Sequence, residues 1–307
     1  MTFPKVSVCI PVRNGGTFLP LAVESVLEQS FQDMELIIVD NCSTDGTAEW
    51  IAQRISKASN VRFYQNATNI GLVGNFNACL ARARGEYIKF LCADDLLLSG
   101  GLPRMAELLD ADPSVTLVVG GRRLIDDNGK KIATQRYAAE NIKISGTEVI
   151  NRCIFGANYI GEPSAVMFRK KAAQRGFRES LSHLMDLEMW FYLLEQGSMV
   201  SLADEVCGIR RHSGQMSRYS IETGVLIDDN VSLFDDYGGK SYIRNTWRNL
   251  TIRKIKIAYR VWMCKDAISV DKRNKILVGH SSKLFYYVMM PILAKALRMW
   301  RKVRPAN

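Results

Sequence analysis

A chain of 307 residues, 47% hydrophobic and 23% charged, is long enough for one large domain or two and has an ordinary apolar share for a folded core. Its seven cysteines include no Cys-x-x-Cys pair and there are only three histidines, which argues against a disulfide framework or a structural zinc site. The net charge of +10 is uneven: residues 240–307 hold 17 Lys+Arg against two acids, leaving a balance of −5 for residues 1–239, so a mildly acidic body carries a basic tail suited to anionic surfaces.

In chain order, Val6–Val12 is an apolar, β-branched run and reads as a strand. Phe18–Gln29 has helical spacing at Leu19, Ala22, Val23, Val26 and Leu27. Glu35–Val39 is a second strand ending at Asp40. Ser43 or Thr44 caps a helix over Thr47–Ile55, with Asp45 and Glu49 in its first turns where the dipole favours acids. Val61–Tyr64 is a third strand, and Gly71–Arg84 a helix closed by Gly85. Glu86–Leu91 is the fourth strand, Leu102–Leu109 a helix and Thr116–Val119 a fifth strand. Alternation of this kind, with near-continuous apolar strands, predicts a parallel sheet covered on both faces. Farther on, Arg122–Ile144 reads as a hairpin excursion turning at Asp127-Asn128-Gly129, and Ala165–Phe168 as a strand. A helix opens with Asp186 and Glu188, a strand ends at Arg210-Arg211-His212, and the pattern is helical from about residue 222.

Ligands of such sheets bind beyond the carboxyl ends of the strands. Those ends are polar here: Arg13-Asn14-Gly15-Gly16, Asp40-Asn41 and Cys92-Ala93-Asp94-Asp95. The first is not a dinucleotide fingerprint; it is either a tight βα turn or a place where a ligand approaches backbone. Asp40 suits a base or ribose contact, or a helix cap. Asp94 and Asp95 suit a hard divalent cation, which prefers oxygen ligands and substrate phosphates, or the N-cap of a helix starting at Leu96.

As a set these blocks resemble family-2 glycosyltransferases. The blocks are Val6–Asn14, Glu35–Thr47, Asn69-Ile70-Gly71 with Asn77, and Gly85–Asp95, together covering roughly the first 100 residues. The resemblance implies an α/β GT-A fold: a Rossmann-like, mixed but mostly parallel sheet with helices on both faces. It also implies that Pro11, Arg13, Asn14 and Asn69 line a nucleotide pocket and that Asp40 bonds the pyrimidine ring. Asp94 would bind Mg²⁺ or Mn²⁺ across the diphosphate, with Asp95 near the donor sugar. Cys92 stands where the family motif has an acid, and Phe76 where it often has arginine.

In the second half, Asp186 resembles the family's acceptor-side base, which takes the acceptor's proton in an inverting transfer. Glu188, two positions on, ranks behind it. Arg210-Arg211-His212 resembles the segment that contacts diphosphate or metal, with His212 as a second cation ligand. Gly161-Glu162-Pro163-Ser164 matches an acceptor-side stretch.

The expected division is a glycosyltransferase domain over 1–219, with a nucleotide-sugar half over 1–100 and an acceptor half over 101–219, and a basic helical region over 220–307. Met1–Lys5 runs into a strand without the regions of a signal peptide. The longest apolar stretch, Leu284–Ala294, is broken by Pro291 and falls short of the roughly 20 residues of a spanning helix. Lys283–Arg304, with tyrosines, Trp300 and basic residues, suits a helix lying in an anionic bilayer surface or one packed on the domain. No nucleic-acid motif accompanies the charge.

The expected protein is a cytoplasmic, peripheral enzyme on the inner membrane face. It would move a sugar from a UDP- or dTDP-linked donor to a saccharide or lipid-linked saccharide in surface-polysaccharide assembly. The rival readings are a nucleotidyltransferase and a non-catalytic module that binds sugar nucleotide or polysaccharide.

Overall fold

The computed structural model describes residues 3–55, 60–212, 222–283, 286–289 and 291–292. The two longest apolar runs become β1 (Val6–Val12) and β2 (Met34–Asp40), buried along their whole length, as central strands of a covered parallel sheet must be. They pair in register, Val6 opposite Met34 through Val12 opposite Asp40, so both carboxyl ends finish level. β3 (Val61–Gln65) extends the sheet beyond β2, and β4 (Tyr87–Phe90) pairs with β1 on the other side, all parallel. Helices α1 (Phe18–Leu27), α2 (Thr47–Ile55) and α3 (Gly71–Arg82) make the crossovers, and α3 packs against β1 and β2.

Parallel order stops at β4. The next strand in space is β9 (Val166–Arg169), antiparallel to both β4 and β6 (Val115–Ile125), and β6 is followed by the parallel β10 (Ser198–Arg210). The sheet order is β3-β2-β1-β4-β9-β6-β10-β5, with β7 (Lys131–Gln135) on β6 and β8 (Ile142–Ser145) on β10. It is the mixed, mostly parallel sheet of the GT-A class. Helix α4 (Gly101–Ala111) covers β6 and β10, α5 (Gly146–Phe155) follows β8, and α6 (Met185–Leu194) precedes β10.

Three local expectations are corrected. Leu96–Leu97 is not a helix start but the two-residue strand β5, paired antiparallel to Cys207 and Gly208 of β10. Helix α3 ends at Arg82 on an extended Ala83, so Gly85 does not close it. Gly85 is needed for close approach instead: a Cβ there would lie 2.5 Å from the Ser7 backbone nitrogen. And β6 runs to Ile125, well past Val119, because Gly120 lets Val206 of β10 pack where a side chain would otherwise stand.

By its internal packing the chain divides into two compact units: residues 1–153 with 158–213, and 154–157 with 214–307. The expected boundary at 219/220 falls outside the described residues. In the second unit, helices Val225–Tyr237, Trp247–Met263 and Val270–His280 share a core that includes Ile227, Ile257, Val261 and Leu277. Thr246 and Ser269 cap the latter two through their hydroxyls. No described helix is long and apolar enough to cross a membrane.

The junction of β6, β7 and β10 is tied by one carboxylate. Glu205 accepts from Arg123 at 2.7 Å, Lys131 at 2.7 Å and Thr134 at 2.6 Å. Burial opposes its ionisation, but these donors outweigh burial and hold its pKa down to about 2. Because the folded pKa is depressed, its stabilisation is full above about pH 5 and is lost as pH falls toward 2. Glu205→Gln is therefore expected to lower the midpoint of chemical denaturation at pH 7 and to flatten the acid limb of stability between about pH 5 and 2.

Candidate functional site

The carboxyl ends of β1, β2, β4 and β10 supply the site, and their loops are held chiefly by side chains. After β1 the chain turns at Asn14, whose φ is +52°, and after β2 at Cys42, whose φ is +60°, both in the left-handed region non-glycine residues rarely enter. The two turns are cross-braced. The N–H groups of Asn14, Gly15 and Gly16 donate to Ser43 Oγ at 2.8 Å, Thr47 Oγ1 at 2.9 Å and Asp45 Oδ2 at 3.1 Å, while Thr44 N–H donates to Asn14 Oδ1 at 2.9 Å. These three consecutive donors are thus satisfied within the protein, and the first loop is a braced turn, not an open phosphate cradle.

Pro11 is buried within β1, opposite Val39, and Arg13 is exposed on the rim of the first loop. Asp40 is fully buried; its carboxylate accepts from Ser43 N–H at 3.1 Å, from the Ser43 hydroxyl and from Gln65 Nε2 at 3.1 Å. In this structure Asp40 thus shapes the loop it begins. The cap of α2 falls to Asp45, which accepts from the Thr47 N–H and hydroxyl. Asn69 accepts from Asn41 Nδ2 at 2.8 Å and from Gly71 N–H at 3.0 Å, fixing the entry to α3. Phe76 is core: it stacks on Phe90 with ring centroids 4.7 Å apart and meets Phe177 edge-on at 5.3 Å.

The turn after β4 meets the end of β10. His212 Nε2 lies 2.9 Å from Asp94 Oδ2, joining residues 118 apart in sequence. Arg210 N–H donates to Asp95 Oδ1 at 3.0 Å, and Arg210 Nε donates to the Asp94 carbonyl at 2.9 Å. Phe18, opening α1, packs its ring 5.2 Å from His212 and under the Arg210 guanidinium at 4.5 Å. The candidate ligand atoms of Cys92, Asp94 and Asp95 all lie within 4.8 Å of one another.

The members of this cluster differ in environment. Asp94 is partly exposed, whereas Asp95 is buried and its second oxygen accepts the Ser164 hydroxyl at 2.6 Å. Burial, with the Asp94 charge adding to it, pushes the Asp95 pKa up to about 8. Burial likewise pushes the Cys92 thiol well up, reinforced by Asp95 and Asp94 and, to a smaller degree, by Asp186. Asp186 lies in the first turn of α6, where its Oδ1 accepts from the Leu187 N–H at 2.6 Å. Glu188 is buried, and both its oxygens accept from Arg175 at 2.9 Å.

Two features go beyond the sequence reading, which names Glu162 only within the stretch Gly161-Glu162-Pro163-Ser164 and gives Lys89 no role. Glu162 joins Arg122 at 2.8 Å and Arg211 at 2.9 Å; burial works against its ionisation, but the Arg122 charge prevails and holds its carboxyl below the usual range. Lys89 lies fully buried in β4, and a lysine inside the run Tyr87-Ile88-Lys89-Phe90-Leu91 was the available signal. A cavity of about 660 Å³ lies apart from this site, near the start of β4, lined in part by Asn77, Gly85, Glu86, Lys171 and Gln174.

A mixed α/β sheet of this strand order, an acidic turn after β4 and an Arg/His segment closing on it fit the GT-A class of glycosyltransferase. Residues 7–177 match the family described as Glycosyl transferase family 2, and the chain belongs to that family: it is a glycosyltransferase. Among its relatives, an uncharacterized protein, MT1568, of Mycobacterium tuberculosis is 33% identical over 222 residues, covering 68% of each chain. The putative glycosyltransferase EpsE of Bacillus subtilis is 28% identical over 232 residues, covering 73% of this chain and 81% of its own. The fold is that of S. aureus TarS 1–349 in complex with UDP-GlcNAc, with a TM-score of 0.61 at 19% identity over 84% of this chain and 72% of that one. It is likewise that of the mannosyltransferase PcManGT of Pyrobaculum calidifontis in complex with GDP-Man and Mn²⁺, with a TM-score of 0.61 at 17% identity over 97% and 83% of the two chains.

Proposed function

We propose that this glycosyltransferase is an inverting enzyme that transfers a sugar from a UDP- or dTDP-linked donor to a hydroxyl of a saccharide or lipid-linked saccharide. The observation that carries the reading is the meeting of Asp94 and His212 at 2.9 Å. Nucleotide sugars occupy two of the solved structures that share the fold, one of them together with Mn²⁺, which supports a donor of this kind.

The donor set fits a divalent cation. Asp94 offers a partly exposed oxygen and His212 a ring nitrogen beside it, with Cys92 and Asp95 adjoining. Asp94 and His212 are the residues that would hold Mg²⁺ or Mn²⁺; when bound, the cation offsets the charge of the diphosphate leaving group. Arg13, exposed at the first loop, is a cationic neighbour for the donor.

Asp186 acts as the base. It takes the proton of the acceptor hydroxyl as that oxygen bonds to the anomeric carbon, and the nucleoside diphosphate departs from the opposite face with the bonding electron pair. One attack at one carbon inverts its configuration, and no second carboxylate is needed as leaving-group acid. Glu188 is a poor candidate for this work, since its lone pairs are engaged by Arg175.

The setting proposed is bacterial surface-polysaccharide assembly at the inner face of the cytoplasmic membrane. The second unit supports this reading with its basic charge and with exposed Trp247 (83%), Val278 (69%) and Ile292 (59%). Aromatic and aliphatic side chains among lysines and arginines suit an anionic lipid surface. Of the expected interfacial segment Lys283–Arg304, residues 284–285, 290 and 293–304 lie outside the described residues.

Asp186→Asn is expected to reduce turnover by about 10²–10⁴-fold while leaving donor affinity within a few-fold; retained turnover removes it as base. Asp94→Ala is expected to weaken Mn²⁺-dependent binding of UDP by at least about 10-fold in calorimetry, and unchanged binding removes it as ligand. Sedimentation with anionic liposomes is expected to pellet the full chain but not a version lacking residues 280–307; equally poor pelleting by both refutes membrane docking through the tail.

A further inference from the structure

Lys89 interrupts the apolar run of β4 and is fully buried, opposite Val8 of β1 and Met167 of β9. An ammonium in a sheet interior is costly unless it is hydrogen-bonded and near compensating charge, and burial pulls its pKa down to about 8. Its Nζ donates to the backbone carbonyl of Ser164. That residue is itself fully buried, in the short helical turn Pro163–Ala165 that leads into β9.

The Ser164 hydroxyl is engaged on both sides. It accepts from Cys92 N–H at 2.9 Å and donates its one proton to Asp95 Oδ2 at 2.6 Å. Asp95 Oδ1 then accepts from Arg210 N–H, two residues before His212. A continuous path of hydrogen bonds therefore runs from the sheet interior, through Ser164, to both ends of the Cys92–Asp95 turn and on to β10. Asp94 is the one carboxylate of that turn left facing His212. A lysine that served stability alone could bond any nearby carbonyl; this one bonds the residue whose hydroxyl bridges the turn.

We propose that Lys89 and Ser164 are positioning residues of the cation site: Lys89 fixes the Ser164 backbone, and Ser164 clamps the Cys92–Asp95 turn so that Asp94 is held against His212. The inference rests on the reading of Asp94 as a cation ligand. Neither residue touches the donor or the cation; both act through the turn.

The test uses the full chain with Ser164→Ala, Ser164→Thr, Lys89→Met, the double variant Lys89→Met/Ser164→Ala and Asp94→Ala. The first readout is the dissociation constant of Mn²⁺ in the presence of UDP, followed by the loss of the free-ion electron-spin resonance signal. Outer partners of metal ligands typically change affinity by about 10–100-fold. Ser164→Ala and Lys89→Met are each expected to weaken Mn²⁺ by that factor, Ser164→Thr to stay within about 3-fold of wild type by keeping the hydroxyl, and the double variant to be little worse than the weaker single one. The second readout needs no metal: exchange of the Cys92 amide, followed by mass spectrometry, is expected to quicken about 10-fold in Ser164→Ala and Lys89→Met. Wild-type Mn²⁺ affinity in Ser164→Ala, or additive losses in the double variant, overturns the inference. Unchanged Cys92 exchange in both single variants overturns it whether or not Mn²⁺ binds. Undiminished Mn²⁺ binding by Asp94→Ala instead overturns the assignment of the ligand.

Discussion

The structure depends on one meeting of backbone and carboxylate: the Arg210 N–H donating to Asp95. It joins the end of β10 to the turn after β4, strands that do not pair with each other in the sheet. Around it gather the Asp94–His212 contact, the Ser164 hydroxyl and the two-residue β5, which holds Leu96 and Leu97 against β10. A carboxylate inside the protein is expensive, and the high pKa of Asp95 reflects that cost. The fold tolerates it because two donors, the Ser164 hydroxyl before β9 and the Arg210 N–H at the end of β10, are aimed at its two oxygens.

The division of labour between neighbouring aspartates follows from the same geometry. Asp95 organises the turn from within, and Asp94 stands at its surface with an oxygen on His212. Asp40 and Asp45 repeat the pattern one loop away: both are engaged by loop donors, and between them they brace the turns after β1 and β2. Polar residues at strand ends thus do two jobs here. Most hold loops together, two of them at residues in the left-handed region, and a minority such as Asp94 stay partly exposed.

Much of this was legible in the residues. Continuous apolar runs marked β1, β2 and β4 because buried parallel strands carry no solvent face to encode. Helical spacing marked α1 through α4. The antiparallel β9 and its place between β4 and β6 were not legible, since strand order is set by long-range packing that leaves no local trace. The extent of β6 was hidden by Gly120-Gly121, where the strand was expected to stop at Val119, but these glycines serve close approach to β10. Gly85 looked like a helix stop because its neighbours are helical, whereas the backbone of Ser7, 78 residues away, is what demands it. At the site, the acids and His212 were visible by type and position. Which of them face outward was not, because that is decided by partners such as Ser164 and Ser43 whose roles are fixed only in three dimensions.

The insertion of β9 also sets an order of assembly. β4 ends at residue 90 and β6 at residue 125, yet the strand that stitches them together spans 166–169, and the segment bearing His212 emerges later still. As the chain leaves the ribosome, β4 therefore presents an open edge for some eighty residues, with unpaired N–H and C=O groups available to other strands. A truncated or stalled chain has β1 to β4 without the strand that caps their edge and without the imidazole that meets Asp94. The Asp94–His212 contact is thus among the last parts of the first unit to be completed.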